Sequence, residues 1–297
     1  MKNVVIFGGS GFLGSHVADE LTKRNYKVTI FDFFESKFLF GNQKMIIGDI
    51  LDKDLVRKIV KENDIVYHFA AIADIKKAKI DPIETVNFNI IGTINILEAC
   101  REFNIIRFLY ASTIYVYSDQ GSFYRSSKQA CELFIENYKQ EYNLDYTILR
   151  YGSLYGDRAN DFNFIRNAIK QALTEKVIVR KGNGEELRDY INISDAAILS
   201  VDALDDTYKN NCVMITGDEK ITIKDLLLMI REIMNNNIEI KFLDNETMEG
   251  HYNLTPYSFK PNIAKKIKSK SYLDLGQGLL DLIYNINQEI INEDSNK

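Results

Sequence analysis

The chain has 297 residues, of which 45% are hydrophobic and 27% charged, and its formal net charge is −5. That balance describes a chain able to bury a core and gives no electrostatic support to nucleic-acid binding. It contains no run of about 18 apolar residues, so no membrane-spanning helix is predicted. The opening Met1-Lys2-Asn3, followed by Val4–Phe7, reads as a first strand rather than a secretion signal. Cys100, Cys131 and Cys212 are widely spaced and lie in no CxxC pair, which points away from a disulfide framework or zinc site and towards a reducing cytoplasm. His16, His68 and His251 are too scattered for a metal cluster, so no metal is expected.

The elements follow in alternation. Val4–Phe7 is a buried strand, and Phe12–Arg24 a helix with its apolar stripe at Leu13, Val17 and Leu21. Val28–Phe31 and Met45–Ile47 read as strands, Leu55–Glu62 as a short helix and Ile65–Phe69 as the next strand. Pro82 after Asp81 has the look of a first-turn proline, opening a helix striped by Val86, Ile90, Ile94 and Leu97. Ile105–Ala111 is a strand, Phe123–Glu141 a helix and Tyr146–Arg150 a strand. Beyond these the rhythm loosens, with helices predicted at Asp161–Leu173 and Thr222–Met234. Strands are predicted at Val177–Val179, Tyr190–Ile193 and Ile238–Phe242.

Strand–helix alternation at this pitch implies a parallel sheet covered on both faces, and right-handed crossovers make it doubly wound: an α/β, Rossmann-like fold with a smaller C-terminal lobe. Residues 1–155 are assigned to the first domain, with 186–205 returning to it; 156–185 and 206–297 are assigned mainly to the smaller lobe.

Directly after the first strand comes Gly8-Gly9-Ser10-Gly11-Phe12-Leu13-Gly14. Glycines at 8, 11 and 14 allow a tight turn, close backbone approach to a pyrophosphate, and close helix–sheet packing. The helix that follows aims its free N–H groups at the anion. Asp32 ends the second strand at the distance where a carboxylate meets a ribose 2′-hydroxyl. Its charge repels a 2′-phosphate, and the neighbouring Phe33 and Phe34 bring no cation to offset it, so NAD is favoured over NADP. Asp49 is placed to reach the adenine edge.

Tyr124 is the only tyrosine with a lysine four residues on, Lys128, and on a helix the two share a face. An ammonium beside the phenol, with a positive nicotinamide nearby, is expected to lower the tyrosine pKa towards neutrality and make it a proton acceptor. The pair follows Ala111-Ser112-Thr113, whose hydroxyls end the fifth strand at the edge where open α/β sheets bind ligands.

With these motifs in view the chain resembles the extended short-chain dehydrogenase/reductases, in their NAD-dependent nucleotide-sugar epimerase/dehydratase branch. Further matching stretches are Gly48-Asp49-Ile50, His68-Phe69-Ala70-Ala71, Asn89-Ile90-Ile91-Gly92-Thr93, Val116-Tyr117, Arg150-Tyr151 with Tyr155-Gly156, and Gly182-Asn183-Gly184 with Arg188-Asp189-Tyr190. The resemblance implies Tyr124 as acid/base, Thr113 as the hydroxyl bridging it to the substrate oxygen, and Lys128 on the nicotinamide ribose. It implies that Phe12, Leu13, Asp49, Ile50, Phe69, Ala70, Ala71, Asn89 and Tyr151 line the NAD site, with Asp32 and Phe33 at its ribose end. It places Ser153 and Arg188 at the diphosphate of a nucleotide sugar, and suggests a homodimer through the helices near 82–103 and 123–141. Taken alone, Arg188 can also be read as a surface partner of Glu185 or Glu186.

The departures narrow the reaction. Ile114-Tyr115 stands where the 4,6-dehydratases carry an acidic pair and the decarboxylating members a glutamate, which disfavours both reactions. The Thr113/Tyr124/Lys128 set that remains suits C4 epimerisation of a nucleotide hexose through a 4-keto intermediate. Reduction of a 4-keto-6-deoxysugar, or a non-catalytic dinucleotide-binding role, are the alternatives. Ten residues separate Thr113 from Tyr124, fewer than is usual in the family, so a more open pocket for a bulkier or differently linked sugar is expected. Ser153 replaces a common asparagine, and Phe259–Ile267 carries Lys260 in place of the usual aspartate.

Overall fold

The computed structural model describes residues 1–217 and 220–243. Seven strands form one parallel sheet: β1 (Asn3–Phe7), β2 (Lys27–Asp32), β3 (Lys44–Ile47), β4 (Ile65–His68), β5 (Arg107–Thr113), β6 (Tyr146–Tyr151) and, after three strands of smaller sheets, β10 (Asn211–Ile215). Their spatial order, β10-β6-β5-β4-β1-β2-β3, reverses between β1 and β4, and such a switch point opens a crevice at the carboxyl ends of the strands. β7 (Ser153–Tyr155), β9 (Leu187–Asn192) and β11 (Lys220–Thr222) form a three-stranded sheet, and β8 (Val177–Lys181) pairs with β12 (Glu239–Leu243).

Burial on both faces explains why the strands read as unbroken apolar runs. Val5, Phe7, Phe31, Val66, Phe108 and Ile148 pack on one face, and Val4, Ile6, Ile30, Tyr67, Leu109 and Leu149 on the other. Phe12–Lys23 covers the second face with Val17, Ala18 and Leu21, alongside the helix Ile193–Asp202. Lys53–Lys61, Gly92–Glu102 and Ser122–Tyr142 cover the first. A separate small core joins Phe164–Glu175 and Ile223–Ile233 to the β8–β12 pair through Ala168, Ile178, Leu227 and Ile230.

Three expectations change. The helix opened by Pro82 is capped as predicted, with Asp81 accepting from the Glu84 amide at 2.8 Å, but it passes through a π-helical segment, Val86–Ile91, before resuming at Gly92. The wider π turn rotates the phase of the stripe, so Val86 faces outward and the core side is Ile96, Leu97, Ala99 and Cys100. Ile193 does not end a strand; Asn192 caps a helix there, accepting from the Ser194 amide. The chain also returns to the large sheet beyond 205, since Asn211–Ile215 lies parallel to β6 with Cys212 opposite Ile148. Phe259–Ile267, with Lys260, lies outside the described residues.

Candidate active site

The turn after β1 closes on itself through the Gly8 amide on Phe31 O (2.8 Å) and the Gly11 amide on Gly8 O (3.2 Å). At Gly8, φ is +82°, and a Cβ there would stand 2.4 Å from the Ala70 nitrogen; at Gly14 a Cβ would stand 2.2 Å from Gly8 O. Both positions therefore exclude a side chain. At Gly11 only Gly8 O lies within reach, at 3.3 Å, so this glycine borders open space at the start of the helix, as a cradle for a pyrophosphate requires.

Asp32 is fixed by two backbone donors, the Ser10 amide on Oδ2 (3.0 Å) and the Phe34 amide on Oδ1 (3.2 Å). Beside it lies a cavity of about 220 Å³ lined by Ser10, Gly11, Asp32, Phe34, Glu35, Lys37 and Phe38. Sequence reasoning missed the last four, because the stretch between β2 and β3 has no periodicity to place them. Lys37 lines the same cavity as Asp32, so the preference for NAD is argued from the carboxylate alone. Phe33, placed at the ribose by resemblance, is 56% exposed and stacks edge-on against Phe34, the ring that lines the cavity.

Phe69 and Ala70 sit at the end of β4, both amides donating to Phe7 O (2.8 and 3.0 Å), with Ala70 against Gly8 and Ala71 next along the chain. Phe12 and Leu13 open the first helix, Phe12 resting on His16. Asp49 follows β3 and accepts from the Leu51 amide at 2.9 Å. Three residues make contacts inside the protein. Ile50 is buried, and a Cβ at Gly92 would meet its side chain. The buried Asn89 amide takes the Ile72 N–H (2.7 Å) and donates to Ile72 O (3.2 Å) and Ser127 Oγ (2.9 Å). It thus ties the loop after β4 to the helix that carries Tyr124. Tyr151 is buried with its hydroxyl on Ser200 Oγ at 2.6 Å.

Thr113, Tyr124 and Lys128 converge at the end of β5. Gly121, at φ +97°, starts the helix Ser122–Tyr142, which carries Tyr124 and Lys128 on one face; Lys128 Nζ lies 5.9 Å from the Tyr124 ring centre. The ammonium is held by Ala111 O at 2.7 Å and lies 4.6 Å from the centre of the Tyr110 ring. Charge behaves differently from expectation. Burial pushes the Tyr124 phenol up to about 12, only partly opposed by its hydrogen bond with Thr113. Burial also lowers Lys128 to about 8, against the raising influence of Cys131 and Glu132. Desolvation is the largest influence on both buried groups, raising the phenol and lowering the ammonium.

The short segment between Thr113 and Tyr124 is anchored rather than loose. Ile114–Tyr117 forms a 3₁₀ turn capped by Thr113 Oγ1 on the Tyr115 amide (3.2 Å). Gln129 Nε2 donates to Val116 O (2.9 Å), Arg125 Nη1 to Ser118 O (2.9 Å), and Arg150 to the Tyr117 hydroxyl. Arg150 is itself clamped bidentately by Glu132 at 3.0 and 2.6 Å.

Ser153 and Arg188 lie on adjacent strands, Ser153 opposite Tyr190 in the β7–β9 pair. Arg188 is buried, with Nη1 on Leu187 O at 2.9 Å. Glu186 pairs with Arg180 (2.9 Å) and Glu185 with Lys224 (3.6 Å). Among the described residues no group of three or more His, Cys, Asp or Glu is arranged to hold a metal, and no helix is long and apolar enough to cross a membrane.

Residues 4–212 match the model of the NAD dependent epimerase/dehydratase family. A UDP-N-acetyl-alpha-D-glucosaminuronate decarboxylase of Bacillus cytotoxicus is 31% identical over 89% of this chain and 90% of its own length. A putative UDP-glucose 4-epimerase of Methanocaldococcus jannaschii is 30% identical over 77% of this chain and 81% of its own. Among solved structures, a UDP-glucuronic acid 4-epimerase of Bacillus cereus, in complex with UDP-glucuronic acid and NAD, superposes with a TM-score of 0.79 at 26% identity, covering 88% of this chain and 95% of that one. A UDP-N-acetylglucosamine 4-epimerase of Methanobrevibacter ruminantium M1, in complex with UDP-N-acetylmuramic acid, gives 0.77 at 28% identity, covering 87% and 89%.

Proposed function

This chain belongs to the NAD dependent epimerase/dehydratase family, and on that premise we propose that it inverts C4 of a UDP-hexose or UDP-N-acetylhexosamine through a 4-keto intermediate. The glycine cradle, the Asp32 carboxylate and the cavity beside it suit an NAD molecule laid across the sheet's switch point. When bound, NAD supplies a reversible hydride acceptor at the sugar carbon. The protein's own part is proton transfer and positioning. Tyr124 takes the C4-hydroxyl proton as the ketone forms and returns it after the ketone has presented its other face. Thr113 shares a hydrogen bond with that phenol and so orients the oxygen between them. The Lys128 ammonium, held by Ala111 O, lowers the cost of the phenolate when it forms.

The observation that carries the choice of reaction is at 114–115. The two residues after Thr113 are Ile114, buried, and Tyr115, and neither has a carboxyl group for elimination of water or loss of CO₂. Ser153 and Arg188 are assigned to the diphosphate, the guanidinium as a bidentate partner. The brevity of the anchored 114–123 segment supports a pocket open to larger sugars. The division of the chain into a cofactor domain and a substrate lobe is retained, with the return to the first domain extended to Ile215. Three free cysteines are in keeping with a reducing cytoplasm.

Incubating the protein with UDP-glucose, UDP-N-acetylglucosamine and UDP-glucuronic acid, and reading the products by NMR, tests the proposal. The expected result is a mixture of C4 epimers with no net change in NAD. A pentose product with CO₂ release, or one NADH consumed per sugar, overturns it.

A further inference from the structure

The cavity beside Asp32 is closed on one side by residues 33–43, which form neither helix nor strand. Local hydrogen bonds, the Phe34 amide on Asp32 Oδ1 and the Phe38 amide on Ser36 Oγ (both 3.2 Å), are joined in this segment by ties to distant residues. Its near end is tied by Ser10 Oγ on Phe34 O (2.8 Å), and its far end by Gln43. Gln43 Nε2 donates to Asp19 Oδ1 (3.2 Å) and Thr22 Oγ1 (3.0 Å), while its Oε1 accepts from the Phe40 amide (3.0 Å). Between these ends Phe38, a wall of the cavity, is covered by the Arg158 guanidinium, 4.7 Å from its ring centre. Arg158 Nη2 also donates to Asp19 Oδ2 at 2.8 Å, so one largely buried carboxylate receives both Arg158 and Gln43.

Arg158 is remote in sequence from everything it touches. It follows β7, outside the strands that build the cradle, and holds a left-handed backbone at φ 63°, which L side chains rarely adopt. Its predecessor Asp157 is fixed by its carbonyl on His16 Nε2 at 3.0 Å. Asp19 and His16 both belong to the helix whose N-terminus faces the phosphate turn. An arginine brought across that helix in a strained conformation, stacked on a cavity wall and paired with a buried carboxylate, performs no step in the proposed chemistry.

We propose that Arg158, seated on Asp19 and Phe38, is a latch that holds residues 33–43 over the ribose end of the dinucleotide site and sets how slowly the cofactor exchanges. The inference rests on the assignment of that cavity to the cofactor. For the dinucleotide to leave, the 33–43 segment must move, and the guanidinium must first come off the Phe38 ring. An epimerase that returns its hydride to the same substrate gains from this, because its cofactor has no need to exchange between turnovers.

The test uses NADH as a fluorescent probe on the full chain. Protein loaded with NADH is chased with excess NAD, and the fall in bound-NADH fluorescence gives the release rate; mixing NADH with free protein gives the association rate. In Arg158→Ala both rates are expected to rise roughly 10-fold, the factor that about 1.4 kcal/mol represents. Release at the wild-type rate overturns the latch, and so does faster release with unchanged association, which would make Arg158 a simple binding contact. Should Arg158→Ala fail to fold, Phe38→Leu removes the stacked ring while leaving the Asp19 pair. It is expected to raise both rates several-fold, and unchanged rates overturn the proposal. Wild-type protein freed of resident nucleotide that takes up no NADH overturns the cofactor assignment as well, whereas wild-type uptake with unaltered variants overturns the latch alone.

Discussion

Gly11 and Gly14 lie three residues apart in one turn, and the geometry gives them opposite failure modes. In Gly14→Ala the new methyl would stand 2.2 Å from Gly8 O and 2.8 Å from Gly9 Cα, so backbone must move on one side or the other. Overpacking against main chain costs about 3 kcal/mol, and in a chain of this size that lowers Tm by roughly 5 °C. In Gly11→Ala the methyl meets only Gly8 O at 3.3 Å, and the backbone, at φ −74° and ψ 176°, is extended and open to any residue. The unfolded chain loses entropy, which stabilises by about 0.4–1 kcal/mol, while alanine is a poorer helix cap than glycine by a similar amount, so Tm should stay within about 2 °C. Yet the methyl occupies the approach of the diphosphate. Saturating NAD at about 100 times its Kd adds about 2.7 kcal/mol to a binding protein, and Gly11→Ala should lose most of that increment. Thermal melts of both variants with and without NAD, alongside calorimetric titration, read the two effects separately. A Gly11→Ala protein that binds NAD within threefold of wild type would refute the placement of the diphosphate.

Lys128 gives a prediction with a definite sign. Burial lowers its pKa from 10.5 to about 8, so the folded protein bears a cost for its charge that is full below pH 8 and fades as pH rises to 10.5. Lys128→Met should therefore be inactive yet more stable than wild type at pH 7, by up to about 3 kcal/mol, with the gain absent in melts near pH 10.5. Wild-type turnover should fall above about pH 8 as the ammonium is lost. Asn89→Leu removes three buried hydrogen bonds and strands the Ile72 N–H, costing about 2–4 kcal/mol in urea unfolding and loosening the loop that carries Phe69 and Ala70. Ile83 and Ile91 on the helical run 82–102, and Leu133 and Phe134 on 122–142, are exposed. A homodimer through these helices should appear as twice the monomer mass in sedimentation, and Leu133→Glu should return it to monomer.

The large fold was legible because each of its signals is local. Apolar runs of four to seven residues, helices with a 3.6-residue stripe and a glycine turn between strand and helix are fixed by near-neighbour sterics and by burial on both sheet faces. The placement of the proposed Thr113, Tyr124 and Lys128 set was legible for the same reason: Tyr124 and Lys128 share a face by helix pitch alone, and Thr113 ends the preceding strand. What escaped depends on contacts between distant segments. The π turn at Val86–Ile91 serves to bring Asn89 under the loop after β4, and nothing in its own hydrophobic pattern demands the extra residue. The cavity wall at Phe34–Phe38 is placed by Gln43 and Arg158 acting through Asp19, partners as many as 139 residues apart. Electrostatics escaped too, because spacing predicts proximity but not dielectric: the sequence puts an ammonium beside a phenol, and only burial decides that Tyr124 rises and Lys128 falls. Sequence by itself determined the sheet, from its apolar runs between helical stripes, the glycine turn after the first strand, and the one-turn spacing that sets Tyr124 and Lys128 on one helix face. Tertiary structure alone decided which groups are dry, and which distant side chains close the site, since desolvation and long-range pairing exist only once the chain is packed.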